Sequence, residues 1–563
     1  MEKGNVASTS SGSGVLSDEY YLSRLSAVSK ARKPSPIWDL FSVEAQPGML
    51  SMLAGKPNPS TFPFTHITLG VKATPTANGH CSDLTATTDL VLKDDDLAMA
   101  LQYNMTAGIP DLVKWVTDLM ETVHCTSDEA SAEQKWRVSL GPGSQDLLYK
   151  AFCALLNPGD TIIVEGPTYP TIIPLLDAMG CHYAIVDSDD EGMSASDLEK
   201  ILSTWDSTAN GKPFPKVLYT VPFGSNPAGI TTSYTRRLEI LQLARKHDLI
   251  IIEDDPYYFL YYGDAPKPPS YFALDRQHQY QHQQPENRQG TGSACPPSSP
   301  GELGGRVVRL DSFSKIISAG FRLGWVTGPS IIVTAIERHN ASTVVQPSSL
   351  SQMVLLKLLQ TWGLKGFLDH ADKTASFYRE RRDVLKSLLE RYLRLDPHHE
   401  NGGGVGLAEW KVPDASMFFW VKLNLGLPTS EFDAGTSPIG VEGGKEGEGD
   451  STPFIRDTAV PRGVLVLPGK AAFPDGRETH HVRLSFSLLS NDEMEEAVKR
   501  LAGAIVEQQH ARKLPQVEGE HKTQSGCVEY QEQEKQVDDE VIVELAFPAE
   551  WDELWRTEGR TWF

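Results

Sequence analysis

The chain has 563 residues, a formal net charge of −22 and 40% hydrophobic side chains. That is enough for about two to four domains around a large buried core, and the acid excess excludes a nucleic-acid binder, which needs clustered basic residues. Six cysteines (Cys81, Cys125, Cys153, Cys181, Cys295, Cys527) without C-x-x-C spacing give no zinc site or disulfide framework, which fits a reducing compartment.

Residues 1–17 are Ser/Gly-rich and read as a disordered tail. They hold no secretory h-region and no Arg-rich transit pattern, and no apolar run reaches transmembrane length, so a cytoplasmic protein is expected. A helical stripe of Tyr20, Leu22, Leu25 and Val28 starts near Asp18 and stops before Pro34 and Pro36. It opens an N-terminal arm, 18–104, expected to supply part of a smaller domain. From 105 to 345 helix and strand signals alternate. Helices are predicted over 110–123, 146–156 and 232–247, and buried parallel strands over 161–164, 217–221 and 249–252. This alternation predicts an α/β domain with a mostly parallel central sheet flanked by helices. Residues 346–506 read as a smaller α+β domain. The polar stretches 277–305, 429–452 and 508–540 read as surface insertions, tolerated because loop closure costs grow slowly with length. Beyond 507 the chain reads as a polar linker and a C-terminal extension, with a strand-like stretch from Val541 and an aromatic end.

Chemistry centres on Lys315, in Asp311-Ser312-Phe313-Ser314-Lys315. A lysine that holds an aldehyde as a Schiff base needs a phosphate anchor beside it. Ser312, Ser314 and Arg322, seven positions on, supply two hydroxyl donors and a bidentate cation. Ser144 and Gln145 stand where Gly141-Pro142-Gly143 enters a helix, whose free amides bind phosphate. Tyr169 follows the first apolar strand and could stack on a pyridine ring. Asn226, in Asn226-Pro227, follows the second and could donate to the cofactor's phenolic oxygen, as could Tyr257. Asp254 ends the third, where α/β ligands bind, and could hold a pyridine nitrogen protonated. Arg483 sits in an alternating stretch and could take a substrate carboxylate. Singly, each of these also reads as a cap, a turn, a packing residue or a surface charge.

Their order along the chain resembles that of the PLP-dependent transferases of fold type I, the aminotransferases among them. It is most similar to the aromatic-amino-acid and 2-aminoadipate (kynurenine-type) subgroup. The fungal aromatic aminotransferases are the nearest, through Ala31-Arg32-Lys33-Pro34-Ser35-Pro36-Ile37, Pro47-Gly48-Met49 and Leu53 to Ser60. The similarity covers about 18–506 apart from the insertions. It implies pyridoxal 5′-phosphate as cofactor and no metal. Lys315 would be the Schiff-base lysine, Asp254 the ring-nitrogen partner and Tyr169 the stacking ring. Asn226 and Tyr257 would bind the phenolic oxygen, and Ser144, Gln145, Ser312, Ser314 and Arg322 the phosphate. Arg483 would hold the substrate α-carboxylate, with Asn226 and Gly55 nearby. Tyr103 would reach the phosphate of a neighbouring subunit, implying a homodimer. Lys56 departs from the family's usual apolar or Gly-flanked position, and the two inner insertions are longer than expected.

The implied reaction is ping-pong transamination of an aromatic L-amino acid with a 2-oxo acid such as 2-oxoglutarate. A lyase or decarboxylase on the same fold remains open, as does a non-enzymatic regulator or scaffold. A regulator would need a DNA-binding domain in front of the aminotransferase-like part, and the residues before Gly55 show no basic recognition helix. The segment 18–41, with Ile37, Trp38, Leu40 and Phe41, is either a lid over an aromatic substrate or a helix that packs on the surface.

Overall fold

The computed structural model describes residues 16–37, 40–44, 46–72, 87–125, 136–283, 304–394, 406–426 and 449–513. β1 (Ile67–Lys72) and β2 (Thr87–Leu92) form an antiparallel ribbon. The central sheet contains β3 (Trp136–Gly141), β4 (Thr161–Gly166), β5 (His182–Asp189), β6 (Gly192–Met193), β7 (Val217–Thr220), β8 (Ile250–Asp254), β9 (Val307–Ser312) and β10 (Gly324–Pro329). Their order is β3-β10-β9-β8-β7-β4-β5-β6. From β9 to β5 neighbours run parallel, whereas β10 is antiparallel to both β3 and β9. β4, β7, β8 and β9 are buried along their whole length, and β4 and β8 accordingly carry the unbroken apolar runs Ile162–Val164 and Ile250–Ile252 rather than alternation. Helices Pro110–His124, Ser144–Leu155 and Ser330–Thr343 pack against this sheet. The chain turns to opposite sides of β4 for β5 and for β7, so the sheet reverses its winding there. Ligands bind at the carboxyl edge beside such a switch.

The second sheet is antiparallel: β11 (Ala408–Trp410), β12 (Phe418–Leu423), β13 (Leu467–Pro468) and β14 (His481–Ser485), ordered β11-β12-β14-β13. Leu385, Leu389, Phe419, Val482 and Ile505 form its own core. Helix Ser349–Tyr392 joins the two bodies. Its early residues Met353, Leu356 and Phe367 belong to the main core and its later ones to the second. Gly363, at φ 65° and ψ 175°, interrupts it, a conformation open to glycine.

Several expectations are corrected. Leu16 and Ser17, assigned to the tail, belong to the folded body: Leu16 is 2% exposed, and Ser17 caps helix Asp18–Arg24. The expected single helix from Asp18 is two, Asp18–Arg24 and Ala27–Ala31, because Ser26 turns extended to accept from Ser29 N. This stretch packs on the body: Ser26 Oγ donates to Cys153 O at 2.7 Å and Tyr21 OH to Gly305 O at 2.9 Å. Of the two readings of the arm, residues 18–31 take the packing one. Ile37 and Leu40 are exposed, while Trp38 and the Phe41 side chain lie outside the description. The first insertion starts later than expected, since helix Tyr271–Gln283 runs into it, and Asp450 caps helix Ser451–Phe454 inside the second. Helix Asn491–Lys513 continues past 508. The tail 1–15, most of the insertions and everything from 514 on, Val541 to Phe563 included, lie outside the described residues.

Candidate active site

Parallel strands deliver their C-terminal residues to one edge. Asp254 is the last residue of β8 and Ser312 the last of β9; Tyr169 and Asn226 lie just beyond β4 and β7. Ser312 Oγ accepts from Ser314 N at 3.1 Å and so starts the tight turn Phe313–Lys315. β10 is antiparallel, so its beginning, and Arg322 before it, returns to the same edge. β3 ends there too and leads through Gly143 into helix Ser144–Leu155.

One glycine makes room for the Arg322 guanidinium and a second for the backbone at that helix start. Gly143 has φ 93°, and a Cβ on it would stand 2.6 Å from Arg322 Nη2. A Cβ on Gly324 would stand 2.8 Å from Ser144 N. Among the described residues Arg322 donates to neutral oxygens only: Ser314 Oγ at 3.5 Å, Ala319 O at 3.3 Å and Pro142 O at 3.4 Å. Its charge therefore lies beside Gly143, at the start of the helix that begins with Ser144 and Gln145, without a counter-ion among the described residues, a cradle for a dianion.

Asp254 is 5% exposed. Its Oδ2 accepts from Tyr219 OH at 3.0 Å, while Oδ1 is buried without a hydrogen-bond partner among the described residues. Burial raises its pKa to about 7 against the hydrogen bond from Tyr219. On the other face of the sheet Glu253, Asp255 and Asp311 converge on Arg309 at 3.2, 2.9 and 2.7 Å, all fully buried. An orphaned buried acceptor is costly, and a protonated ring nitrogen would satisfy it. With the cradle, this makes the site fit pyridoxal phosphate, which presents a ring nitrogen to one and a phosphate to the other.

Burial and then Arg322 and Arg483 push the Lys315 amine below its ordinary pKa. Arg483 reaches in from β14: Nη1 donates to Asn226 Oδ1 at 2.7 Å, the guanidinium lies 4.4 Å over the Phe418 ring, and Nε is buried without a partner. Asn226 thus keeps its Nδ2 as a donor while anchoring the arginine, a role its sequence context did not show. Tyr257 is buried; burial, then Tyr169, raises its phenol, which also feels Arg483 and Asp254. Tyr169 is likewise raised by burial and lies in the fields of Asp254, Arg483 and Arg322.

Gly55 and Tyr103 lie elsewhere. Gly55 is exposed with open space around it, and Tyr103 is 47% exposed. Gln102 Nε2 donates to Pro57 O at 2.8 Å, so the two share one surface. The sequence reading missed Tyr219 and Gly324, and read Gly143 only as a turn. For Tyr219 the signal was available: it pairs with Ile252, two residues before Asp254, so period-two alternation puts Tyr219 and Asp254 on one face.

Comparison with known proteins gives the family. The chain is 36% identical to the mouse (Mus musculus) kynurenine/alpha-aminoadipate aminotransferase, mitochondrial, over 492 residues, covering 86% of this chain and 98% of the relative. It is 33% identical to an aromatic amino acid aminotransferase of Schizosaccharomyces pombe over 434 residues, covering 75% of this chain and 86% of the relative. The crystal structure of aminotransferase Aro8 from Candida albicans superposes with a TM-score of 0.66 at 26% identity, covering 88% of this chain and 99% of that one. Residues 66–501 match the family described as aminotransferase class I and II. The chain belongs to the class I and II aminotransferases, with the type I fold.

Proposed function

We propose that this chain is a pyridoxal-phosphate-dependent aminotransferase that moves the amino group of an aromatic, or kynurenine- or 2-aminoadipate-like, L-amino acid to a 2-oxo acid such as 2-oxoglutarate by a ping-pong mechanism. The observation that carries this is the buried Asp254 with an open Oδ1, on the same strand edge as Lys315 and Arg322. Bound there, pyridoxal phosphate supplies an aldehyde for amines and an electron sink for negative charge at the substrate Cα. Asp254 holds the ring nitrogen protonated. Arg322, Ser314, Ser144 and Gln145 hold the phosphate, with Ser312 ordering the turn that presents Ser314. Tyr169 stacks on the ring, and Asn226 Nδ2 and Tyr257 OH donate to the phenolic oxygen. Arg483, already aligned by Asn226, takes the substrate α-carboxylate. Lys315, shifted toward its neutral form by burial and two guanidinium groups, takes the Cα proton and returns it.

We further propose a homodimer in which Tyr103 reaches the partner's phosphate and Gly55 its substrate. Support comes from their shared exposed surface and from Leu50 and Met52 beside Gly55, 95% and 101% exposed. For the division into an arm with part of a small domain (18–104), a large domain (105–345) and a small domain (346–506), we propose other bounds: Tyr21, Leu25, Leu92 and Ala100 of the arm and Met353, Leu356 and Phe367 after 345 lie in the large domain's core, while the small domain gathers around Leu385, Leu389, Phe419, Val482 and Ile505. Among the described residues no helix is long and apolar enough to cross a membrane. A cytoplasmic location is our proposal, decided by cell fractionation.

The test is a donor panel with 2-oxoglutarate: phenylalanine, tyrosine, tryptophan, kynurenine, 2-aminoadipate and leucine. Turnover of the aromatic or kynurenine-like donors supports the reading. Release of carbon dioxide or ammonia without conversion of the cofactor to its amine form would make the chain a decarboxylase or lyase. Lys315→Ala should abolish turnover with the fold intact by circular dichroism; a wild-type rate would remove the lysine from the mechanism.

A further inference from the structure

We infer that Tyr219 is a positioning residue, whose hydroxyl fixes the Asp254 carboxylate so that only Oδ1 is offered to the cofactor's ring nitrogen. The inference rests on the proposed role of Asp254 in pyridoxal phosphate binding. Tyr219 is fully buried and packs edge-on against Phe152, ring centres 5.8 Å apart. Packing alone would be served by phenylalanine, and a buried hydroxyl is costly unless bonded. Here the hydroxyl donates to Asp254 Oδ2 at 3.0 Å, and Oδ1 has no partner among the described residues. One oxygen is tied and one is open, which sets the rotation of the carboxylate about its last torsion.

The bond also acts on charge. Burial and the nearby Asp311 both favour the neutral acid at position 254, whereas Tyr219 and, behind the sheet, Arg309 favour the anion. A neutral carboxyl holds no pyridinium. The hydroxyl of Tyr219 therefore helps keep the ring nitrogen protonated, without touching the cofactor or the reacting atoms.

The test uses holoenzyme loaded with pyridoxal phosphate carrying nitrogen-15 in the ring. In the parent protein the nitrogen signal should be that of a protonated pyridine. In Tyr219→Phe it should move toward the unprotonated position, apoprotein affinity for the cofactor should fall about ten- to hundred-fold, and kcat should fall with little change in KM. Phe152→Leu removes the packing partner but leaves the hydroxyl. It should lower Tm while the nitrogen signal stays at the parent position. If Tyr219→Phe keeps the parent's nitrogen signal and cofactor affinity, Tyr219 is only a core residue and the inference falls. Should Tyr219→Phe fail to fold, Phe152→Leu alone decides: a nitrogen signal displaced there as well would show that packing, not the hydroxyl, sets Asp254. A parent protein that takes up no cofactor, or holds it with an unprotonated nitrogen, would overturn the assignment of Asp254 itself.

Discussion

At Asp254 one residue type is required by two neighbours at once: Tyr219 needs an acceptor and the open Oδ1 needs a donor. Asp254→Ala should lower kcat by several orders of magnitude, because an unprotonated pyridine is a poor electron sink. Single-turnover kinetics reads this, and a loss of only a few-fold would assign the work to another group. Gly143 is constrained by space instead. Gly143→Ala places a Cβ at 2.6 Å from Arg322 Nη2 in a backbone conformation, φ 93°, that L side chains avoid. The guanidinium must move off the helix start, so cofactor affinity should drop about ten-fold or more while substrate KM on loaded enzyme changes little. Equilibrium dialysis measures it. Lys315, Asp254 and Arg322 were legible in the sequence because each lies at a fixed offset from an apolar run or a serine turn. Gly143 was legible as a turn but not as the floor under Arg322, since that contact joins residues far apart in the chain.

Among the elements, the parallel strands were readable because burial on both faces writes an uninterrupted apolar run, as in Thr161-Ile162-Ile163-Val164. β10 escaped because Gly324-Trp325-Val326-Thr327-Gly328-Pro329 looks like a loop, and its strand state comes only from pairing with β3 and β9. Charges buried in the sheet were also out of reach. Glu165, in β4, accepts from the Thr220 hydroxyl at 2.7 Å, and burial raises its pKa from 4.5 to about 7. The folded chain thus keeps this proton at pH values where the unfolded chain has lost it. Stability from this group is greatest below pH 4.5 and is lost as the pH rises through about 7. Glu165→Gln should therefore gain stability relative to the parent over that interval, by on the order of 3 kcal/mol above it. Urea titrations across the range test the sign, and a difference independent of pH would show that Glu165 is ionised throughout. Arg309 is the opposite case. Arg309→Met leaves Glu253, Asp255 and Asp311 buried without their shared cation and should cost about 3–5 kcal/mol or prevent folding.

On the scale of the whole molecule, the arm is where sequence reasoning and structure part. Its first helices are built into the body through Leu16, Tyr21 and Ser26, so truncation to residue 41 removes core contacts and should lower Tm. A change in KM alone, with Tm unmoved, would restore the lid. The surface that carries Gly55 and Tyr103 poses a different question, since both stay exposed in the single chain. If Tyr103 serves the partner's phosphate, Tyr103→Phe should weaken cofactor retention, and mixed dimers should reveal which chain it serves. A dimer of one Lys315→Ala chain and one Tyr103→Phe chain then contains one site with both defects and one with neither. Its single active site should hold the cofactor as tightly as the parent does. Were Tyr103 to act within its own chain, the lysine-bearing site would also lack the hydroxyl, and the mixed dimer would lose cofactor on dilution as readily as the Tyr103→Phe homodimer. Gel filtration of differently tagged chains followed by a dilution assay separates these outcomes, and a monomer that binds the cofactor and turns over normally would refute both the contact and the dimer.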